Sequence, residues 1–130
     1  MKEITILAPN NVGSLAKIAE ALGGIGVNIE AISAYENGEK AVFRVLTNDS
    51  TSALKAISKL VDFSAKDADI LIVDLPNRPG ELGKLTRKLA NHKIDLESVY
   101  IVGKKSDFTE VALKPSIDHL DKAKELLGIK

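Results

Sequence analysis

The hydrophobic and polar positions along this chain change period several times, and each change marks an element. Ile4-Thr5-Ile6-Leu7 is apolar and β-branched and is closed by Pro9-Asn10-Asn11, which predicts a strand ended by a loop. Leu15, Ile18, Ala19 and Leu22 then fall at i, i+3, i+4 and i+7, the period of an amphipathic helix, and Gly23-Gly24 ends it. Val27 to Tyr35 reads as a second strand and Ala41 to Leu46 as a third, with Asn37-Gly38 between them predicting a type I′ hairpin turn. Asp49-Ser50 can cap a second helix whose buried stripe is expected to be Leu54, Ile57 and Val61. Phe63 to Lys66 completes the run as a short fourth strand.

The same plan then returns. Pro9, Gly13 and Glu30 meet Pro76, Gly80 and Glu97, each 67 positions on. Ile70 to Val73 is the repeated strand, and Pro79-Gly80 opens a helix with Leu82, Leu85 and Leu89 inward. Ile94 to Val102 and Phe108 to Leu113 form a hairpin around Gly103-Lys104-Lys105, and Ser116 can cap a last helix that uses Leu120, Ala123 and Leu127. An internal repeat of this kind predicts two copies of one unit, residues 1–66 and 67–130, joined by a short charged segment at 62–69. The order β-α-β-β-α-β makes each copy a ferredoxin-like α+β sandwich with an antiparallel sheet. Only Gly128-Ile129-Lys130 follow the last helix, so the second copy is expected to lack a full fourth strand. The edge left open points to a homodimer or higher homo-oligomer.

Charge narrows the function classes. Lys and Arg total 18 against 18 Asp and Glu, and each copy is balanced by itself. That argues against nucleic acid and against an anionic membrane surface as partners. Aromatics at 4% are too sparse for base stacking on the sheet. The lack of cysteine rules out thiol catalysis, disulfides and Cys-based zinc sites. His92 and His119 have no second ligand at metal-binding spacing, and no catalytic Ser-His-Asp set, close carboxylate pair or Walker-type loop is present. The expectation is a non-enzyme without cofactor or metal. With no apolar run of spanning length and no signal segment, a cytoplasmic location is expected.

The repeated loops carry the candidate chemistry. Asn10-Asn11-Val12-Gly13 and Asn77-Arg78-Pro79-Gly80 each lead straight into a helix, whose first N–H groups and partial positive charge suit a carboxylate or phosphate. Glycine removes the Cβ that would block such a ligand. Asn, Pro and Gly also dominate plain turns, and a duplicated turn would look the same. Asn28 and Asp95 begin the second strands and are expected at the same end of the sheet, where a polar side chain could meet an ammonium group.

Val73 to Leu82, followed by Lys93-Ile94-Asp95-Leu96-Glu97-Ser98, resembles an ACT domain, and Val12-Gly13-Ser14-Leu15 with Gly26 to Glu30 resembles a more diverged copy. The resemblance implies a regulatory module that binds an amino acid or similar small ligand where two domains meet. The ligand would lie between the loop after strand one of one domain and the start of strand two of its neighbour. Carried over by residue, it implies Asn77, Arg78, Pro79 and Gly80 with Asp95, and Asn10, Asn11, Val12 and Gly13 with Asn28. The first copy departs from the pattern, with Asn11-Val12 for Arg78-Pro79 and Leu7 for Asp74. The implied function is an amino-acid sensor; the alternative is a ligand-independent interaction module that docks on a metabolic enzyme.

Overall fold

The computed structural model describes residues 1–129 and divides into two units, Lys2–Asp69 and Ile70 onward, the latter with Met1. In the first unit, β1 (Lys2–Pro9) alternates, sending Ile4, Ile6 and Ala8 to the helix side. α1 (Ser14–Gly24) answers with Ile18 and Leu22, both fully buried. β2 (Ile29–Asn37) and β3 (Lys40–Thr47) form the hairpin, α2 (Ser50–Ser58) buries Ala53 and Ile57, and β4 (Ser64–Asp69) pairs antiparallel with β1. The sheet order is β2-β3-β1-β4 with the helices on one face, the ferredoxin-like arrangement.

Local chemistry explains where the sequence reading shifts. Asp49 caps α2: its Oδ1 accepts from the Ser52 N–H at 3.1 Å and its Oδ2 from the Ser52 hydroxyl at 2.7 Å. α2 stops at Ser58, so Val61 falls beyond it and is 83% exposed; fully buried Ala53 takes its place in the stripe. Asn37 is in the ladder opposite Lys40, leaving Gly38-Glu39 as the turn. Only Gly38 there has positive φ, at 67°, the φ pattern of type II′ rather than I′. The fourth strand extends to Asp69, so the expected division after residue 66 falls inside it.

The second unit repeats the plan with β5 (Leu71–Pro76), α3 (Glu81–Asn91), β6 (Leu96–Lys104), β7 (Phe108–Pro115), a 3-10 turn (Ile117–His119) and α4 (Leu120–Leu127). Its sheet has three strands in the order β5-β7-β6, and among the described residues no fourth strand pairs with β5. The core gathers Leu71, Leu85, Leu89, Val111, Leu113 and Ala123. Ser116 does not cap the last helix as expected; its hydroxyl donates to Asp95 Oδ2 at 2.6 Å and the 3-10 turn intervenes. Among the described residues no helix is long and apolar enough to cross a membrane.

The two copies leave their first helices in the same way. Gly26 follows α1 with φ 75°, and Lys93, its counterpart in the repeat, follows α3 with φ 58°. A side chain in this left-handed conformation is unfavourable, whereas glycine adopts it freely. Lys93→Gly is therefore expected to raise stability by about 1 kcal/mol, read as a higher midpoint of chemical unfolding at unchanged slope.

Candidate functional site

Both candidate loops are built alike. After β1 the chain reverses through Asn11 N–H to Pro9 C=O (2.8 Å), and after β5 through Arg78 N–H to Pro76 C=O (2.9 Å). Asn10 N–H bonds Glu39 C=O at 2.9 Å and Asn77 N–H bonds Asp107 C=O at 3.0 Å, tying each loop to the tip of its hairpin. The Asn side chains strengthen the same tie. Asn10 Nδ2 donates to Glu36 Oε2 (2.8 Å) and Gly38 C=O (3.2 Å), and Asn77 Nδ2 donates to Lys105 C=O (3.3 Å). These two asparagines hold the loops in place, whatever else they do.

Gly13 and Gly80 sit at the N-caps of α1 and α3 with φ 98° and 89°, and the space a Cβ would fill is empty at both. Neither helix has a side-chain cap, in contrast to α2 with Asp49. Ser14, in the first turn of α1, turns its hydroxyl instead to Pro9 C=O at 2.7 Å. Helix geometry leaves the N–H groups of Leu15 and Ala16, and of Leu82 and Gly83, without intrahelical carbonyls. Each loop thus presents open donors at the positive end of a helix. Because both glycines need positive φ, a bulkier residue there strains the backbone as well as blocking the approach.

The second unit adds a cleft of about 160 Å³ beside its loop, lined by Asn77, Arg78, Glu81, Leu82, Ile101 and Lys104 among others. This is well below the roughly 300 Å³ at which drug-sized sites begin, and it suits a small ligand. Four of those residues were not among the site candidates in the sequence: Glu81, Leu82, Ile101 and Lys104. Leu82 was assigned to the core, yet it is 45% exposed, and its counterpart Leu15 is 47% exposed. The repeat could have flagged the pair, because a leucine kept in the first turn beside each loop need not be a core residue.

Asn28 and Asp95 lie elsewhere, contrary to expectation. Pro9 pairs with Lys40 and Asn37 pairs with Lys40, whereas Ile29 pairs with Thr47 at the far end of β3. The start of β2 is therefore about 23 Å along the sheet from the loop after β1. The cause is the βαβ connection: α1 carries the chain back across the sheet, so β2 starts where β1 started. Asn28 N–H bonds Asn48 Oδ1 at 3.0 Å, and Asp95 N–H bonds His119 Nδ1 at 2.9 Å, both at that opposite end. Within one unit no small ligand can touch both groups.

One charge cluster adjoins the second loop. Glu81 Oε1 accepts from Arg78 Nε at 3.1 Å and from Lys84 Nζ at 3.3 Å. The hydrogen bond from Arg78, then that from Lys84, holds the Glu81 carboxyl below its ordinary range against a desolvation that raises it. Arg78 and Lys84 are largely exposed, so the contribution to stability is small. A lowered folded-state pKa gives stability that is present above the unfolded value, about 4.3, and is lost as pH falls through the folded one. Glu81→Gln should accordingly melt slightly below the parent protein at pH 7, and the difference should close on acidification.

No family model and no curated protein matches the chain. Solved structures do. Protein BT0572 from Bacteroides thetaiotaomicron superposes with a TM-score of 0.85 at 27% identity, over 98% of this chain and 85% of that one. The ligand-free regulatory subunit of aspartate kinase from Thermus thermophilus gives 0.73 at 16% identity, over 98% and 90%. A structure of aspartokinase alpha and beta subunits gives 0.66 at 17%, over 96% and 89%. With two βαββα units, the first closed by a fourth strand, and the Arg78-Pro79-Gly80 loop opening α3, the chain has the tandem fold of these structures, the fold that its resemblance to ACT domains implies.

Proposed function

We propose that this chain is a non-catalytic regulatory protein that binds a small amino acid through its duplicated loops. The observation that carries the reading is the pair of uncapped helix N-termini, each opened by a left-handed glycine with vacant space above it. The ligand carboxylate takes the free N–H groups of the first turn, at Leu15 and Ala16 or at Leu82 and Gly83. The second loop is the stronger of the two, because Arg78 and Lys104 add positive charge where the first copy has Asn11 and Asn37. The ammonium group meets Asn28 or Asp95. Since these lie at the other end of their own sheets, that contact is supplied by another copy of the chain, and binding is linked to assembly. The role of the Thermus thermophilus neighbour as a regulatory subunit of aspartate kinase supports the regulatory part of this reading. A ligand regulates such a protein only by favouring one of two states.

One observation favours a second reading, a ligand-independent interaction module: among the described residues no strand pairs with the outer edge of β5. Thermal unfolding against a panel of the standard amino acids at millimolar concentration separates the two. A ligand at a hundred times its dissociation constant adds about 2.7 kcal/mol, a shift of several degrees. The sensor reading expects one or two responders. It also expects their shift to fall by at least half in Arg78→Gln and in at least one of Asn28→Ala and Asp95→Ala, since the first removes the carboxylate's guanidinium and the others the ammonium's partner. A silent panel favours the interaction module.

A further inference from the structure

The helix-free face of the first sheet holds a second polar constellation. Strand register arranges it in two rows. Ser64, Leu7, Val42 and Tyr35 lie side by side across β4, β1, β3 and β2, and Lys66, Thr5 and Arg44 form the next row about 7 Å along the strands. Together they line a groove of about 440 Å³, within the range of small-molecule sites. Two cations and no carboxylate line it.

Arg44 is held in place for this task. Its Nη1 donates to Glu3 Oε1 at 3.0 Å, and Glu3 is fully buried. The same Nη1 also donates to Thr5 Oγ1 at 3.5 Å. A guanidinium has five N–H donors, so these contacts fix its plane and leave donors over. Lys66 stands two strands away, about 10 Å between Cα atoms, and among the described residues it is in none of the ion pairs of this sheet, Lys2–Asp69 and Arg44–Glu3. The apolar row of Leu7 and Val42 lies beside this cationic row, with Tyr35 at its end.

The second unit supplies an internal control. Its β5–β7 ladder puts Asp74 opposite Glu110 where β1–β3 puts Leu7 opposite Val42, and Ala112 where the first unit has Arg44. The same face is thus cationic and apolar in one copy and acidic in the other. A feature demanded by the fold would be present in both.

We propose that this groove is a binding site for a small organic anion, one carboxylate or phosphate on an apolar body. The head group lies between Arg44 and Lys66, and the body lies over Leu7, Val42 and Tyr35. It is separate from the repeated loops and does not depend on their function.

The test is a titration followed by backbone amide NMR on the intact chain with hexanoate, hexyl phosphate and, as the uncharged control, hexanol. The proposal expects saturable shifts clustered at Thr5, Leu7, Tyr35, Val42 and Lys66 with at least one of the two anions, and which of them responds identifies the head group. Lys66→Gln should weaken binding about tenfold, and Leu7→Asp, which installs the residue of the second copy, should abolish it. Both positions are exposed enough for the fold to persist, which the unchanged spectra elsewhere verify. Hexanol binding as well as the anions, shifts confined to residues 10–16 or 77–83, binding unchanged in both variants, or no response to either anion would each overturn it.

Discussion

A glycine held at positive φ where a helix begins is the constraint on which the rest of each unit's working end depends. Gly13 and Gly80 let the chain pass from the end of a strand into a helix within four residues. The same conformation removes the position from which Ser, Thr, Asp or Asn would ordinarily cap the helix. What α2 satisfies with Asp49, α1 and α3 leave open. Asn10 and Asn77 complete the device by tying each loop to its hairpin, so the open donors sit on a rigid mount. Pre-ordered donors bind a ligand without first having to be ordered, which favours affinity.

Duplication kept this device and let the surroundings diverge. The second loop gained Arg78, which pairs with Glu81, where the first has Asn11 and Ser14. The helix-free faces went opposite ways, Leu7, Val42 and Arg44 in one copy against Asp74, Glu110 and Ala112 in the other. Among the described residues the second sheet has three strands where the first has four. Two units with a shared backbone plan therefore carry different charges in corresponding places.

Much of the fold was legible in the sequence because its signals are local. The repeat, the strand and helix periods, the Asp49 cap and the short C-terminus all follow from neighbouring residues. The errors arose where the third dimension decides. Asn28 and Asp95 were placed beside the loops, although a helix crossing the sheet sends the next strand back to the other end. Val61 continued a helical period that the chain abandons after Ser58. Leu15 and Leu82 fitted the apolar stripe, yet both are half-exposed in the first turns of their helices. The groove over Leu7, Arg44 and Lys66 was invisible, because its residues come from four strands and meet only through register.

The central claim is that the open N–H groups of α1 and α3 receive a carboxylate. The most direct measurement is the amide NMR response of Leu15, Ala16, Leu82 and Gly83 to an amino acid that stabilises the protein, compared with the same amino acid as its uncharged amide. The account requires large downfield shifts at one or both pairs with the free acid and none with the amide. Equal shifts with both compounds, or a response that leaves all four amides unmoved, would contradict it.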